Sequence, residues 1–367
     1  MTFLIGEHVI CILLSRTDRQ PITAYLNFAL KKKASDLHLV GGEVPLIRIE
    51  GRLMEIEKKP LADSELRAAI KQLVRKELWD KFQETHEMDF GHESKDARFR
   101  INLHQQDGKA GLAARVIPKK IPTPKELHFA PVMNELVNLK DGLILVTGPA
   151  GCGKSTAIAS MIEQINLTRK AHIITIEDPI EFAFEDKKCL IEQREVGADT
   201  ATFHTALKYV LRQDPNVIVV GEMRDPETIA ATLTAAETGH LVFSTLHTPS
   251  AAESIERIID VFEGPKQKQV LVQLSGTLRA VISQELLPAT NGNRIAAREI
   301  LTNTPAIANL IRENKIQQIQ SAIQTGGKEG MITMEKAIME LVDEGLVSRE
   351  IAERRLGKGE HKRKYVV

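Results

Sequence analysis

Gly148-Pro149-Ala150-Gly151-Cys152-Gly153-Lys154-Ser155-Thr156 fits G-x-x-x-x-G-K-[ST], the phosphate-binding loop of nucleotide hydrolases. The flanks agree with it. Residues 142–147 (GLILVT) read as a short buried strand and 157–165 as a helix, so a glycine loop passes from a strand into a helix N-terminus. Gly148, Gly151 and Gly153 let the backbone turn its N–H groups inward, and the helix dipole favours an anion there. Lys154 would reach the β/γ-phosphates and the Ser155 hydroxyl would sit on Mg²⁺. A glycine turn matching by chance would not bring the lysine, the hydroxyl pair and both flanks with it.

Downstream of this loop, strands alternate with helices. Strands are expected at 171–177, 217–221 and 240–245 as well as 142–147, which describes a doubly wound α/β domain. After about Pro265 the chain reads as mostly helical. Upstream the pattern differs. A helix over 21–33 carries Ile22, Leu26, Ala29 and Leu30 on one face, with Pro21 in its first turn and lysines at its end. Strand-like pieces follow at 36–40, 46–50 and 53–56. A helix capped by Asp63 or Ser64 is expected to run to about Phe82, and alternating strands are expected at 97–103 and 111–117. This is an α+β module. Pro118, Pro122 and Pro124 mark a hinge linker over 118–128.

Three further motifs surround the loop in sequence. HIITIEDPIE (172–181) delivers Glu177, Asp178 and Glu181 to the end of a strand, the edge that faces ligand in such sheets; a solvated acidic turn is the plainer alternative. VIVVGEMRD (217–225) is a central strand ending in Glu222, where phosphate-loop enzymes carry an acidic residue that serves Mg²⁺. ETGHLVFSTLHT (237–248) is a strand bracketed by His240 and His247. A lone histidine is usually structural, but two beside an acidic strand end point to the nucleotide site. Cys152 lies among the inward N–H groups, beside Lys154 and a helix N-terminus. That setting favours thiolate, although a small residue that merely fits the loop is the simpler reading.

Composition removes several classes. The 49 Lys+Arg balance 49 Asp+Glu, so no global field draws the chain to nucleic acid. Aromatics make up 4% of the residues, with Trp79 the single tryptophan, which argues against a stacking groove for single strands. Cys11, Cys152 and Cys189 form no metal-ligand pair and no even disulfide set, as expected of a reducing cytoplasm. The apolar first fourteen residues carry Glu7 and His8, are too short to span a bilayer and make a poor signal peptide; an extra strand or an attached arm is the reading. From Arg354 the tail carries six Lys/Arg against one Glu and reads as solvated and disordered.

Taken together, GPAGCGKST, TIEDPIE, GEMRD and AAETGHLVFSTLHT resemble the secretion-superfamily ATPases that drive type II secretion and type IV pili. ASDLHLVGGEVPLIRIEGRL (34–53) is similar to the N-terminal domain of the pilus-retraction branch. AIANLIRE (306–313) resembles that branch's AIRNLIRE element, with Ala308 in place of an arginine, and GMITM also fits. The resemblance covers about 21–345. It implies a PAS-like domain over 21–117, a RecA-like ATPase domain over 129–345 with a helical C-terminal part, an extension over 1–20, a basic tail over 346–367 and a homohexameric ring. It implies ATP and Mg²⁺ as ligands. Glu177 matches the glutamate that polarises the attacking water, Glu222 the Walker B glutamate, and His240 and His247 the histidine box. Arg98, Arg100 and Arg115 fall where the family places arginines that reach nucleotide; another arginine that many relatives carry near Ala114 or Gln106 is absent.

The resemblance further implies a cytoplasmic motor, peripheral at the inner membrane, that acts on a pilus platform protein and the pilus base with no nucleic acid partner. Three scattered cysteines cannot build the four-cysteine zinc module common in extension ATPases, which favours retraction. An accessory subunit dependent on a paralogous pilus ATPase is the alternative left open by Ala308. A nucleic-acid translocase is the third reading, disfavoured by charge and aromatic content.

Overall fold

The computed structural model describes residues 21–49, 51–94, 97–117 and 120–357. The expectations for residues 1–20 and 358–367 lie outside them. The chain divides into two compact units: the first ends at Lys120 and also takes in Glu181–Ala183, and the second starts at Ile121.

The first unit runs α1 (Pro21–Lys31), β1 (Asp36–Val40), β2 (Leu46–Ile49), β3 (Arg52–Glu55), α2 (Asp63–Leu73), α3 (Lys76–Thr85), β4 (Glu87–Glu93), β5 (Arg98–Gln106) and β6 (Lys109–Ile117). Its strands make a six-stranded sheet in the order β3-β2-β1-β6-β5-β4, every neighbouring pair antiparallel. Alternation decides the faces. Leu37, Leu39, Phe99, Ile101, Leu103 and Leu112 pack with Ile22 and Leu26 of α1, Leu66 and Ile70 of α2 and Phe82 of α3. Each such side chain contributes roughly 1.5–3 kcal/mol when fully buried.

The single helix expected up to Phe82 is instead two. Val74 and Arg75 are extended, and that break re-aims the second amphipathic segment so that Phe82 enters the same core. Neither Asp63 nor Ser64 is the cap. Ala62 holds that position without a side-chain bond, and the Asp63 carboxylate instead accepts from the Ala110 N–H at 2.7 Å and Arg67 at 2.8 Å.

The second unit runs α4 (Pro131–Leu136), β7 (Gly142–Thr147), α5 (Lys154–Thr168), β8 (His172–Glu177), β9 (Leu190–Glu195), α6 (Phe203–Val210), β10 (Val217–Val220), α7 (Pro226–Glu237), β11 (Leu241–Leu246), α8 (Ala251–Asp260), α9 (Pro265–Thr277), β12 (Leu278–Pro288), β13 (Arg294–Thr302), α10 (Pro305–Arg312), α11 (Ile319–Thr325), α12 (Met334–Asp343) and α13 (Arg349–Arg355). Its sheet has seven strands in the order β13-β12-β7-β11-β10-β8-β9. All pairs are parallel except β12 with β13. Both faces are covered, as a parallel sheet requires. Leu143 and Leu145 join a core with α6 to α11, while Ile144 and Val146 join one with α4 and α5.

Three boundaries depart from expectation. The largely helical stretch after Pro265 is interrupted by β12 and β13, a long hairpin that extends the motor sheet. Residues 121–128 are not a free hinge but part of the second unit, with Thr123 and Glu126 capping each other. The basic tail expected over 346–367 begins as packed structure: Val347 and Ala352 pack with Leu287, Ile295 and Ile338, Ser348 caps α13, and that helix carries on through Arg354 and Arg355.

Candidate functional site

Parallel register brings the strand ends to one edge. Thr147 pairs with Leu246, Ser244 with Val220, and Val220 with Ile176. The phosphate loop, Glu177, Glu222 and His247 therefore leave the sheet at the same level, on the edge where such sheets bind ligand.

Gly148, Pro149, Ala150, Gly151, Cys152 and Gly153 form the loop, and Lys154, Ser155 and Thr156 open α5. Gly153 stands at the helix N-cap with φ +89° and offers no side-chain cap, so the first N–H groups of α5 are left for an anion. Gly148 has φ +140°, and a Cβ there would collide with the Gln284 carbonyl oxygen and lie 2.8 Å from the Cys152 sulfur. Below the loop, Thr147 and Ser283 share a buried hydroxyl bond of 2.8 Å, and the Ser254 hydroxyl donates to Thr147.

Lys154 is buried, and its Nζ donates to the loop's own carbonyls, Gly148 at 2.8 Å and Pro149 at 3.0 Å. It also lies 3.5 Å from His247 Nδ1. The other ring nitrogen of His247 lies 3.7 Å from Glu222 Oε2. Lys154, His247 and Glu222 thus stand in a row across three strand ends. Glu222 also binds Arg224 Nε at 2.7 Å. Its backbone is set by Thr245, whose hydroxyl donates to the Gly221 carbonyl and whose own carbonyl accepts from Met223 N–H. Glu177, one strand further out, accepts at Oε1 from Thr175 at 2.6 Å and Gln193 at 3.2 Å.

The Ser155 hydroxyl and Glu222 carboxylate are hard oxygen donors of the kind Mg²⁺ takes. Arg224 and His247 bind the same carboxylate and would compete with the ion for it.

His240 is not brought to this edge. It precedes β11 while His247 follows it; the six residues of that strand separate the two by roughly 20 Å. Its Nδ1 lies 2.9 Å from the Ala235 carbonyl. The paired-histidine expectation therefore fails within the subunit for His240 and leaves His247. For Cys152 the simpler of the two readings, a small residue that fits the loop, is the one the surroundings favour. The residue is 3% exposed, and burial raises its thiol pKa above the usual range despite Lys154 nearby.

Arg98, Arg100 and Arg115 lie in the first unit. Cross-strand partners share a face, and a row runs Arg48, Asp36, Arg115, Arg100 across β2, β1, β6 and β5. Arg98 shares this face two residues before Arg100. Arg115 Nε donates to Asp36 at 2.9 Å. Although burial pushes the Asp36 carboxyl up, the Ser35 hydroxyl and Arg115 hold it below its ordinary value.

Sequence reasoning missed Thr175 and Gln193, which orient Glu177, and Arg224, which binds Glu222. It also missed Gln284 and Arg298 behind the loop. A partial signal for the last two was present: Asn291-Gly292 between two partly apolar runs marks a turn, and Gly292 has φ +82°.

Over residues 17–363 the chain matches the family described as "Type II/IV secretion system protein". It is 49% identical to the type IV pilus retractation ATPase PilT of Pseudomonas aeruginosa, covering 90% of this chain and 96% of that one. It is 46% identical to a twitching motility protein of Neisseria gonorrhoeae, covering 86% and 85%. A crystal structure of the pilus retraction motor PilT with bound ADP is similar with a TM-score of 0.85 and 43% identity, covering 91% of this chain and 96% of that one.

Proposed function

The chain belongs to the type II/IV secretion system protein family, and on that premise we propose that it is an ATP-hydrolysing motor that retracts type IV pili. The observation that carries this reading is the row Lys154–His247–Glu222 beside the glycine loop, with Glu177 on the same sheet edge. Lys154 exchanges the Gly148 and Pro149 carbonyls for β/γ-phosphate oxygens, while the N–H groups of the loop and first turn of α5 cradle the same phosphates. Glu177, aimed by Thr175 and Gln193, orients the attacking water and accepts its proton. Ser155 and Glu222 would hold Mg²⁺, which neutralises charge developing on the phosphoryl oxygens. His247, between Lys154 and Glu222, ties the phosphate contact to the metal contact. Among the described residues no helix is long and apolar enough to cross a membrane.

The finer parts of the reading rest on the family and on charge. The motor works as a homohexamer on the platform protein at the pilus base, at the inner membrane. Arg98, Arg100 and Arg115 supply cations to nucleotide in their own or a neighbouring subunit, where a planar guanidinium suits the spread charge of a transferring phosphoryl group.

The test pairs purified turnover with complementation. The parent chain alone should hydrolyse ATP, without stimulation by DNA, and restore retraction to cells that lack it, whereas Lys154→Ala should do neither. Turnover without restored retraction would assign the chain an accessory role. DNA-stimulated turnover would make it a translocase. Hydrolysis by Lys154→Ala would overturn the site.

A further inference from the structure

The β12–β13 hairpin carries an unusual pair directly behind the phosphate loop. Gln284 and Arg298 are cross-strand partners, 3% and 6% exposed. Arg298 is a buried cation, and among the described residues no carboxylate pairs with it. Its Nε donates to Gln284 Oε1 at 2.7 Å, and its Nη1 donates to the Leu127 carbonyl at 2.9 Å and the His128 carbonyl at 3.3 Å. The guanidinium stands 5.1 Å from the Phe129 ring centroid. Burial pulls its pKa down to about 10. A charge held only by dipoles and a ring is costly to bury, so its position calls for a reason.

Geometry supplies the reason. Guanidinium is donor-only, so Arg298 can meet only the oxygen end of the Gln284 amide. That fixes the other end. Gln284 Nε2 donates to the Cys152 carbonyl at 2.5 Å. In a trans peptide the carbonyl of one residue and the N–H of the next point in opposite directions. Pinning the Cys152 carbonyl toward Gln284 therefore turns the Gly153 N–H the other way, into the cradle that phosphate would occupy. The left-handed backbone of Gly153 and its missing Cβ admit the amide; a Cβ there would be 3.0 Å from Gln284 Nε2.

Resting on the nucleotide-site reading above, we propose that Arg298 and Gln284 are positioning residues that set the 152–153 peptide of the phosphate loop and tie it to the 127–129 segment, which follows the proline-rich stretch leading out of the first unit. Arg298 acts only through the amide it orients. Lysine cannot replace it, because a point ammonium lacks the fork that meets Gln284 and two carbonyls at once.

The test measures Mg·ADP affinity, ATP turnover and melting temperature for Gln284→Met, Arg298→Met, Arg298→Lys and the double methionine variant. A charge-assisted hydrogen bond from loop to phosphate corresponds to roughly a 10- to 100-fold change in affinity. Gln284→Met should weaken Mg·ADP by that factor. Its kcat at saturating ATP should stay within about threefold, because a cradle contact made equally in ground and transition states shifts KM rather than kcat. Arg298→Lys, which keeps the charge, should lose most of the same affinity. The double variant should bind no worse than Gln284→Met, the non-additivity expected of two groups acting in series. A folded Gln284→Met protein that binds Mg·ADP within twofold of the parent, or losses that simply add, would overturn the proposal. Should the variants fail to fold, hydrogen exchange on the parent decides: Mg·ADP should slow exchange at the His128 and Phe129 amides, and unchanged exchange there refutes the tie. Lys154→Ala is the control. If it loses Mg·ADP while Gln284→Met keeps it, the nucleotide site stands and this inference alone falls.

Discussion

Replacing Glu177 by glutamine isolates its chemistry from its placement. Thr175 and Gln193 both donate to the same oxygen, Oε1, at 2.6 and 3.2 Å, and glutamine keeps an acceptor in that position. The side chain should stay where it is while Oε2 becomes an NH₂ that cannot take a proton. Losing a positioned base costs about 10²- to 10⁴-fold in turnover, or ~3–5 kcal/mol of barrier. Losing one orienting bond, as in Gln193→Leu, removes about 1 kcal/mol and should slow turnover about fivefold. The gap between those two figures separates a catalytic group from one that is merely well placed. The assay is phosphate release at saturating Mg·ATP, with Mg·ADP binding measured beside it. Glu177→Gln should bind nucleotide within about threefold of the parent and release phosphate at least a hundredfold more slowly. A kcat within threefold of the parent would remove Glu177 from the mechanism, and equal losses in the Glu177→Gln and Gln193→Leu variants would show that only the geometry matters.

Two further outcomes follow from the titrating groups. Asp36 is held below its ordinary pKa in the folded chain, so it contributes stability above about pH 4, its unfolded value, and loses it as pH falls through the folded value; Asp36→Asn should therefore cost about 1 kcal/mol at pH 7 and nothing measurable near pH 2, and thermal unfolding that shows the same gap at both would refute the pairing with Arg115. Cys152, buried and with its thiol pKa raised, should react with iodoacetamide at pH 7.5 at least tenfold more slowly in the folded protein than in urea; mass spectrometry showing rapid labelling in the folded, nucleotide-free protein would restore the reactive-thiolate reading.

The centre of the second unit was legible because its signals are local. β7 and the phosphate loop follow from a fully apolar run meeting three glycines and a lysine, and β8, β10 and β11 were placed to within a residue or two because each is a continuous buried run. Which end of a strand a residue leaves from was equally readable, yet His240 was grouped with His247 on motif alone, against the length of β11. The break at Val74 and Arg75 was not legible, since nothing local stops that helix; the need to bring Phe82 to a shared core does. The hairpin was missed for a different reason. β12 is shielded between β7 and β13, so its sequence mixes buried polar residues such as Ser283 and Gln284 into an apolar run and blurs the alternation that marks a strand.

Those buried polar residues explain how the loop can be both ready and restrained. The loop is gripped from two directions, and the grips differ in kind. Lys154 folds onto the Gly148 and Pro149 carbonyls, bonds that phosphate oxygens can replace one for one, so the exchange leaves no buried donor unmet. The Cys152 carbonyl is held by Gln284 from the opposite side, where no phosphate reaches, so that bond persists through binding. Because the Cys152 carbonyl is fixed and the Lys154 ammonium is not, the loop itself need release only one flexible side chain when nucleotide enters. The backbone cradle costs it nothing further to order. The polar interior of β12 and β13 is thus the part of the motor sheet that gives the glycine loop its shape.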